Sequence, residues 1–171
     1  KRSLAAIATL AWMTTKTLEV NVFHFGAAMS ACEKVGQWRK ALELMAMMAE
    51  GNVEANVFTC SAAIGACEKG GEWQRALALL AEAGVEADLI LCNAAISACD
   101  KGGQWHQALD LLAAMMTRQV EADAITYNSA ISACSRGGAW ATGVRLLASM
   151  AEVHVVRDTI TFCACISACE K

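Results

Sequence analysis

Trp, Cys and Asn or Asp recur along this chain at one shared spacing. The tryptophans lie 35, 32 and 35 residues apart, at Trp38, Trp73, Trp105 and Trp140. Five cysteines (positions 32, 67, 99, 134 and 169) and five Asn or Asp residues (positions 21, 56, 88, 123 and 158) follow the same intervals. Because three independent residue types share one series, the chain is built from an internal repeat. A period in this range indicates stacked small units rather than one closed core.

The period predicts a single repeat array over residues 1–171 that is a fragment of a longer chain. Residues 1–21 are interpreted as the end of a preceding repeat, and residues 159–171 as the first helix of a truncated one. The second complete repeat is three residues short, and its gap falls in the second half. The four complete repeats, called first to fourth below, are 22–56, 57–88, 89–123 and 124–158.

Each repeat has the pattern of two helices joined by a glycine turn. In the fourth repeat, apolar side chains from Tyr127 to Cys134 follow the helical spacings 3, 1 and 3. A second helical stripe in the third repeat runs from Trp105 to Met115. Glycines between the two stripes, such as Gly137, permit the left-handed conformation that often ends a helix. Since so short a hairpin cannot bury both apolar faces, neighbouring hairpins are predicted to stack into an α-solenoid.

Composition narrows the class of protein. Apolar residues make up 56% of the 171 residues and charged residues 18%, which excludes disorder because disordered chains are polar and highly charged. The net charge of −3 argues against a strongly basic nucleic-acid binder, and no stretch predicts a membrane span. Nine cysteines without a C-x-x-C pair favour reduced, buried thiols over disulfides or a zinc site. No sequence motif predicts catalysis, a metal, a cofactor or a small-molecule substrate.

One basic side chain per repeat is the most informative polar feature. With each repeat numbered from its first residue, so that Ala124 is position 1, position 13 is always basic. Such a row of cations suits the regularly spaced phosphates of a nucleic acid. The alternative is that the cations only offset the negative end of the helix dipole. The residues at position 13 are Lys34, Lys69, Lys101, Arg136 and Lys171.

The chain resembles the pentatricopeptide repeat family. The resemblance implies an all-α fold, a right-handed α-solenoid of stacked helix-turn-helix hairpins similar to the tetratricopeptide superhelix. Ala55, Ala87, Ala122 and Arg157 stand where the family usually has Pro. In the fourth repeat the resemblance rests on Ile125-Thr126-Tyr127-Asn128, Ile131-Ser132, Arg136-Gly137-Gly138, Leu146-Leu147, Met150 and Asp158.

In this family each repeat reads one base of single-stranded RNA, through position 5 and the residue that ends the repeat. The family pattern assigns G, U and U to three pairs here, 5′ to 3′ from the N-terminal side. Gly26 and Cys163 also occupy position 5 and leave their bases undetermined. Because the repeat-end residue precedes a helix, N-capping alone is the alternative role. The implied pairs are Ser61 with Asp88, Asn93 with Asp123, and Asn128 with Asp158.

Position 2 is apolar in every repeat, and the resemblance implies that it sandwiches bases between neighbouring repeats. Burial between repeats is the alternative role, and the two are compatible. The recurrent tryptophans, and Trp12, are expected to pack between hairpins rather than to stack on bases. The residues at position 2 are Phe58, Ile90, Ile125 and Ile160, with Phe23 in the first repeat.

The resemblance implies sequence-selective binding of single-stranded RNA in mitochondria or plastids, in transcript processing, stability, editing or translation. The alternative is a protein-interaction scaffold, because helical solenoids also offer extended surfaces to proteins. A continuous positive stripe at position 13 favours RNA. A surface dominated by Glu33, Glu68 and Asp100 favours the scaffold.

Overall fold

A computed structural model describes residues 2–15, 20–83 and 88–169 of the chain. These residues form helices joined by short turns, and no strand occurs among them. Contacts divide the chain into two compact units, Lys1–Glu86 and Ala87–Lys171. The helices are α1 (Arg2–Thr15), α2 (Val22–Glu33), α3 (Trp38–Glu50), α4 (Val57–Gly70), α5 (Trp73–Glu82), α6 (Leu89–Lys101), α7 (Trp105–Thr117), α8 (Ala124–Arg136), α9 (Trp140–Glu152) and α10 (Thr159–Cys169).

Each unit is a stack of helical hairpins. In the first unit α2 packs beside α4, α3 contacts both of them, α1 contacts α2, and α5 contacts α4. In the second unit α6, α8 and α10 pack in a row, α7 contacts α6 and α8, and α9 contacts α8 and α10. Within each unit, the first helix of a repeat therefore packs on the first helix of the next one. The predicted all-α solenoid of helix-turn-helix hairpins is confirmed within both units.

The first helices begin at capped turns. The Asn56 Oδ1 accepts the N–H of Thr59 at 2.9 Å, and the Asn56 N–H donates to the Thr59 hydroxyl at 3.0 Å. The side chains of Asn21, Asp88 and Asp123 likewise cap α2, α6 and α8. Such caps satisfy backbone N–H groups that have no partner inside the helix. The capping role considered for the repeat-end residues is therefore confirmed.

Glycine at position 15 makes the turn within each hairpin. The φ angles at Gly36, Gly71, Gly103 and Gly138 are 65°, 77°, 64° and 74°. This left-handed region is easily reached only without a Cβ, which explains why glycine recurs there. The next helix then starts at the recurrent Trp. Of these second helices, α5 has 10 residues where α3, α7 and α9 have 13, so the three missing residues shorten α5 by nearly one turn.

The core lies between the first and second helices and is rich in small side chains. The recurrent cysteines at 32, 67, 99 and 134 are fully buried free thiols. Burial raises the pKa of Cys99 to about 11, so this thiol stays protonated and unreactive near neutral pH. Cys163 differs, because it is exposed on α10. The cysteines whose side chains the structure describes are free thiols, and all of them except Cys163 are buried, whereas their reduced state stays a prediction.

Two recurrent tryptophans pack against the turn of the following hairpin. The Trp38 ring lies against Gly70, and the Trp105 ring lies against Gly137. A Cβ at either glycine would overlap the ring, so the glycine creates the space that the Trp fills. Packing between hairpins is confirmed for these two residues. Trp12 is also expected to pack between hairpins, but it is 57% exposed, so more than half of the Trp12 surface is open to solvent.

Candidate nucleic-acid interface

The third repeat brings its two predicted base-reading side chains into contact. The Asn93 amide Nδ2 donates to the Asp123 Oδ1 at 3.3 Å. The same carboxylate caps α8 by accepting the N–H of Thr126 at 2.9 Å. The Thr126 hydroxyl lies 2.6 Å from the Asn93 Oδ1 and 2.9 Å from the Asp123 Oδ1. The carboxylate therefore anchors a helix start and also orients the amide at position 5.

The fourth repeat reproduces this arrangement. The Asn128 Nδ2 donates to the Asp158 Oδ1 at 3.3 Å, and Asp158 accepts the N–H of Thr161 at 2.8 Å. The Thr161 hydroxyl donates to Asp158 at 2.8 Å. Here the Asn128 Oδ1 is buried and has no hydrogen-bond partner among the residues that the structure describes. An unpaired buried acceptor is costly, so a ligand N–H that reached this oxygen would relieve that cost.

Hydrogen bonds keep both carboxylates ionised. Partial burial raises the pKa of Asp123, but the Thr126 N–H, the Thr126 hydroxyl and the Asn93 amide outweigh it and hold the pKa below its ordinary value of 3.8. Hydrogen bonds from the N–H and hydroxyl of Thr161 likewise hold the pKa of Asp158 below 3.8. An ionised carboxylate has no proton to donate, so it fixes the Asn amide with its NH₂ toward the acid. The amide oxygen of Asn128 or Asn93 is thereby directed away from the acid.

The two residues of the predicted pair, Ser61 and Asp88, lie in different units. Ser61 lies on α4 in the first unit, and Asp88 caps α6 in the second through the N–H of Ile90 at 3.2 Å. Each is described only within its own unit. The capping role of Asp88 is clear, whereas its pairing with Ser61 stays a prediction.

The apolar side chains at position 2 project into solvent. They are more than half exposed in all five cases, which excludes full burial between repeats. Large exposed apolar side chains in a regular series indicate a contact surface for an apolar or aromatic ligand. The exposed fractions are 79% for Phe23, 59% for Phe58, 56% for Ile90, 62% for Ile125 and 65% for Ile160.

A cleft of about 500 Å³ joins these features between α8 and α10. Its lining includes Asn128 at position 5 and Arg136 at position 13 of the fourth repeat, with Ile160 and Cys163 from α10. One opening thus contains an amide, a guanidinium and an exposed apolar side chain. This combination suits a nucleotide, because its base has polar edges and apolar faces and its phosphate is anionic.

Two of the cations at position 13 contact acids of the preceding repeat. Lys69 Nζ lies 2.9 Å from the Glu33 Oε1, and Arg136 Nε lies 3.0 Å from the Asp100 Oδ1. In each of these two pairs, the cation and the acid partly neutralise each other within their unit. Sequence reasoning missed these pairs, although an acid directly precedes the cation in both Glu33-Lys34 and Asp100-Lys101.

Two of the other position-13 cations lie exposed at or just after the end of a first helix. Lys34 is exposed directly after α2, and Lys101 is exposed at the end of α6. Lys171 lies outside the described residues. Lys69, Lys101 and Arg136 occupy the last turns of α4, α6 and α8, where a cation offsets the helix dipole. The dipole alternative therefore holds for these three, and phosphate contact stays a prediction.

Neither a metal site nor a membrane-spanning helix is found among the described residues. They contain no group of His, Cys, Asp and Glu side chains arranged to hold a metal ion. None of their helices has the length and apolar character required to cross a bilayer.

Three family models match the sequence. A PPR repeat family matches residues 87–136, a pentatricopeptide repeat domain matches residues 10–70, and a PPR repeat matches residues 125–155. No curated protein matches the sequence significantly.

The fold is similar to solved structures. The maize pentatricopeptide repeat protein PPR10 gives a TM-score of 0.79 at 24% identity, covering 98% of this chain and 24% of the maize chain. PPR10 in complex with an 18-nt psaJ RNA element gives 0.80 at 23% identity, over 98% and 25%. The PPR domain of Arabidopsis thaliana protein-only RNase P 1 in complex with tRNA gives 0.80 at 11% identity, over 99% and 91%. The chain thus spans about a quarter of the maize protein, and these likenesses concern the fold.

Proposed function

Because the chain belongs to the pentatricopeptide repeat family, we propose that it binds single-stranded RNA and reads one base per repeat. The observation that carries the proposal is the Asn–Asp contact at 3.3 Å in two successive repeats. Each contact lies beside an exposed apolar side chain at position 2. Two of the similar structures are RNA complexes, of PPR10 with an 18-nt element and of the RNase P 1 repeat domain with tRNA.

The Asn amide supplies the chemistry for base selection. Uracil presents two carbonyl acceptors on either side of one N–H donor, and an amide offers the complementary donor and acceptor. In the fourth repeat the Asp158 carboxylate holds one amide hydrogen, which leaves the Asn128 Oδ1 to accept a hydrogen bond from the uracil N–H. In the third repeat the Thr126 hydroxyl already donates to the Asn93 Oδ1, so the second lone pair of this oxygen would accept the N–H of the preceding uracil.

Backbone contacts are assigned to position 13. Arg136 lines the cleft that contains Asn128, and its pairing with Asp100 leaves the Arg136 side chain 52% exposed. A guanidinium has five N–H donors, so it can hold a carboxylate and contact a phosphate at once. We assign the same role to Lys34, Lys69, Lys101 and Lys171.

The family supports a proposal about the biological setting. Proteins of this family are commonly organellar, and we propose action in mitochondria or plastids on transcript processing, stability, editing or translation. We assign no catalytic step to this segment. The scaffold function remains the second candidate, because the ion pairs Lys69–Glu33 and Arg136–Asp100 weaken the positive stripe expected of an RNA binder.

Fluorescence-anisotropy titration with short RNAs tests the proposal. One RNA carries a central G-U-U, and its matched control carries C-A-A, each at several salt concentrations. We expect preference for G-U-U and a log–log salt slope of about 0.7 per phosphate contact. Equal, salt-insensitive failure of both RNAs to bind a folded, helical protein contradicts RNA binding and favours the scaffold.

A further inference from the structure

A buried hydroxyl lies beside the two proposed reading residues of the third repeat. It belongs to Thr126, which is position 3 of the fourth repeat and is fully buried. The Thr126 Oγ1 lies 2.6 Å from the Asn93 Oδ1 and 2.9 Å from the Asp123 Oδ1. A hydroxyl has one hydrogen, which two acceptors so close together can share.

The shorter of these two contacts fixes the oxygen of the Asn93 amide. The ionised Asp123 carboxylate accepts the Asn93 Nδ2 at 3.3 Å, so the amide oxygen is the atom that faces Thr126. Two oxygens 2.6 Å apart need a hydrogen between them, and an amide oxygen carries none. The hydroxyl hydrogen is therefore directed mainly to Asn93. Asp123 holds the amide nitrogen, and Thr126 holds the amide oxygen.

Threonine at position 3 has different contacts in two other repeats. Thr161, on α10, donates to the carboxylate that caps its own helix at 2.8 Å. The Asn128 Oδ1 has no hydrogen-bond partner in the part of the chain that the structure describes. The Thr59 hydroxyl donates to the Asn56 carbonyl at 2.9 Å, and position 5 of the repeat before it is Gly26. Capping by threonine thus recurs without the contact to a position-5 amide.

The orientation of an amide decides which pyrimidine it can read. Uracil has a carbonyl oxygen beside its N–H, whereas cytosine has an amino group beside an unprotonated nitrogen. The order of donor and acceptor along the base edge is therefore reversed between the two bases. A side-chain amide that turns by 180° exchanges its oxygen and its NH₂, so it can match either order. An amide held at both ends presents one order alone.

We propose that Thr126 is a positioning residue for base selection, because its hydroxyl locks the Asn93 amide in the orientation that reads uracil and rejects cytosine. The inference rests on the proposed RNA reading, which assigns the middle base of G-U-U to Asn93 and Asp123. It adds a residue of the following repeat to the two that the family pattern uses. Without the hydroxyl, the carboxylate is the one restraint left on the amide.

Thr126→Val tests the lock, because valine has nearly the shape of threonine and lacks the hydroxyl. An apolar residue suits the position, since Leu91 occupies position 3 of the third repeat and is fully buried. Fluorescence anisotropy gives the dissociation constants for RNAs that carry G-U-U or G-C-U. We expect the preference for G-U-U to fall by about 2- to 10-fold in Thr126→Val, the range for loss of one hydrogen bond. Thr126→Ser keeps the hydroxyl and should keep the preference.

Two controls separate amide orientation from helix capping. Thr59→Val removes a buried capping hydroxyl that has no position-5 amide to hold, so it should leave the preference for G-U-U over G-C-U unchanged. In Thr126→Val itself, the preference for U over C at the last base, assigned to Asn128, should also persist. An unchanged preference at the middle base in folded Thr126→Val overturns the inference. So does an equal loss in Thr59→Val or in Thr126→Ser.

The two proposals fail in different ways. Equal binding of G-U-U and C-A-A by the unaltered protein contradicts base reading itself. A retained preference over C-A-A, with the same U-to-C ratio in Thr126→Val and Thr126→Ser, contradicts only the role of Thr126. Should Thr126→Val not fold, as judged by circular dichroism, Thr126→Ala and Thr126→Ser differ by the hydroxyl alone, and the ratio in these two variants decides.

Discussion

The carboxylates of Asp123 and Asp158 each perform two roles, because each caps a helix and also accepts the amide at position 5. Asp123 caps α8 through the Thr126 N–H and also accepts the Asn93 amide. A carboxylate has about four acceptor sites on its two oxygens, so one side chain can serve both partners. Capping fixes the position of the carboxylate, and the fixed carboxylate orients the amide. Capping and the proposed base reading are therefore parts of one arrangement.

Acid titration checks the charge at Asp123. Because its folded pKa lies below 3.8, the ionised group contributes stability above that pH and loses the contribution as the pH falls through the lowered folded value. Asp123→Asn keeps a capping oxygen, as Asn56 shows, but cannot titrate. We expect the free energy of unfolding from urea titrations to fall more steeply for the unaltered protein than for Asp123→Asn, between about pH 5 and pH 2.

A control separates this effect from general loss of charge. Asp110→Asn changes an exposed aspartate on α7 outside the caps, and its acid profile should follow that of the unaltered protein. Superimposable profiles for all three proteins would mean that the hydrogen bonds at Asp123 do not stabilise its ionised form.

Helix α9 contains a glycine that its packing does not require. A Cβ at Gly143 would meet Cys134 at 3.6 Å and Ile131 at 3.8 Å, which are ordinary contacts. Glycine inside a helix costs about 0.5–1 kcal/mol relative to alanine. We expect Gly143→Ala to raise the free energy of unfolding by about that amount in urea denaturation. The equivalent residues of the other second helices are Ala41, Ala76 and Ala108.

The opposite response is expected at the turn between α8 and α9. A Cβ at Gly137 would overlap the Trp105 ring, so Gly137→Ala must displace the ring from the hairpin interface. Overpacking of this kind costs about 1–3 kcal/mol. Urea denaturation of Gly137→Ala and of Gly143→Ala compares the same substitution at two positions. The added Cβ overlaps a ring at position 137 and makes only ordinary contacts at position 143. An unaffected Gly137→Ala protein would contradict the assigned packing of Trp105.

Helices, turns and caps could be predicted because they depend on neighbouring residues. Apolar spacing, recurrent glycine and Asn or Asp before each first helix all act within a few positions. The contacts of the candidate site depend instead on register between hairpins. Asn93 and Asp123 are 30 positions apart, and Lys69 and Glu33 are 36 apart. No local pattern fixes such distances, so the ion pairs and the Thr126–Asn93 contact were not predicted.

The distribution of charge over the chain bears on both candidate functions. Each unit holds an ion pair between successive repeats, Lys69–Glu33 in the first and Arg136–Asp100 in the second. Partly exposed pairs of this kind contribute only about 0–1 kcal/mol each to stability. Because these ion pairs add so little to stability, their cations remain available for a second role in binding phosphate.

Removing three cations together tests that second role. The triple variant Lys69→Gln, Lys101→Gln and Arg136→Gln should weaken all RNAs alike and reduce the log–log salt slope by about 2, at about 0.7 per lost contact. The preference for G-U-U should persist. Arg145→Gln, which removes an exposed cation from α9, should leave the slope unchanged. If the triple variant keeps the full slope, the position-13 cations serve only ion pairs and helix ends.

The most direct measurement of base reading is a change of specificity at Asn128. The family pattern assigns U to Asn with Asp and G to Ser with Asp, so Asn128→Ser should move the preference at the last base of G-U-U from U towards G. We predict that the ratio of dissociation constants for G-U-U and G-U-G changes by roughly tenfold or more, with the preference for the central U, assigned to Asn93 and Asp123, retained. An unchanged ratio in a variant with unaltered folding would contradict the account.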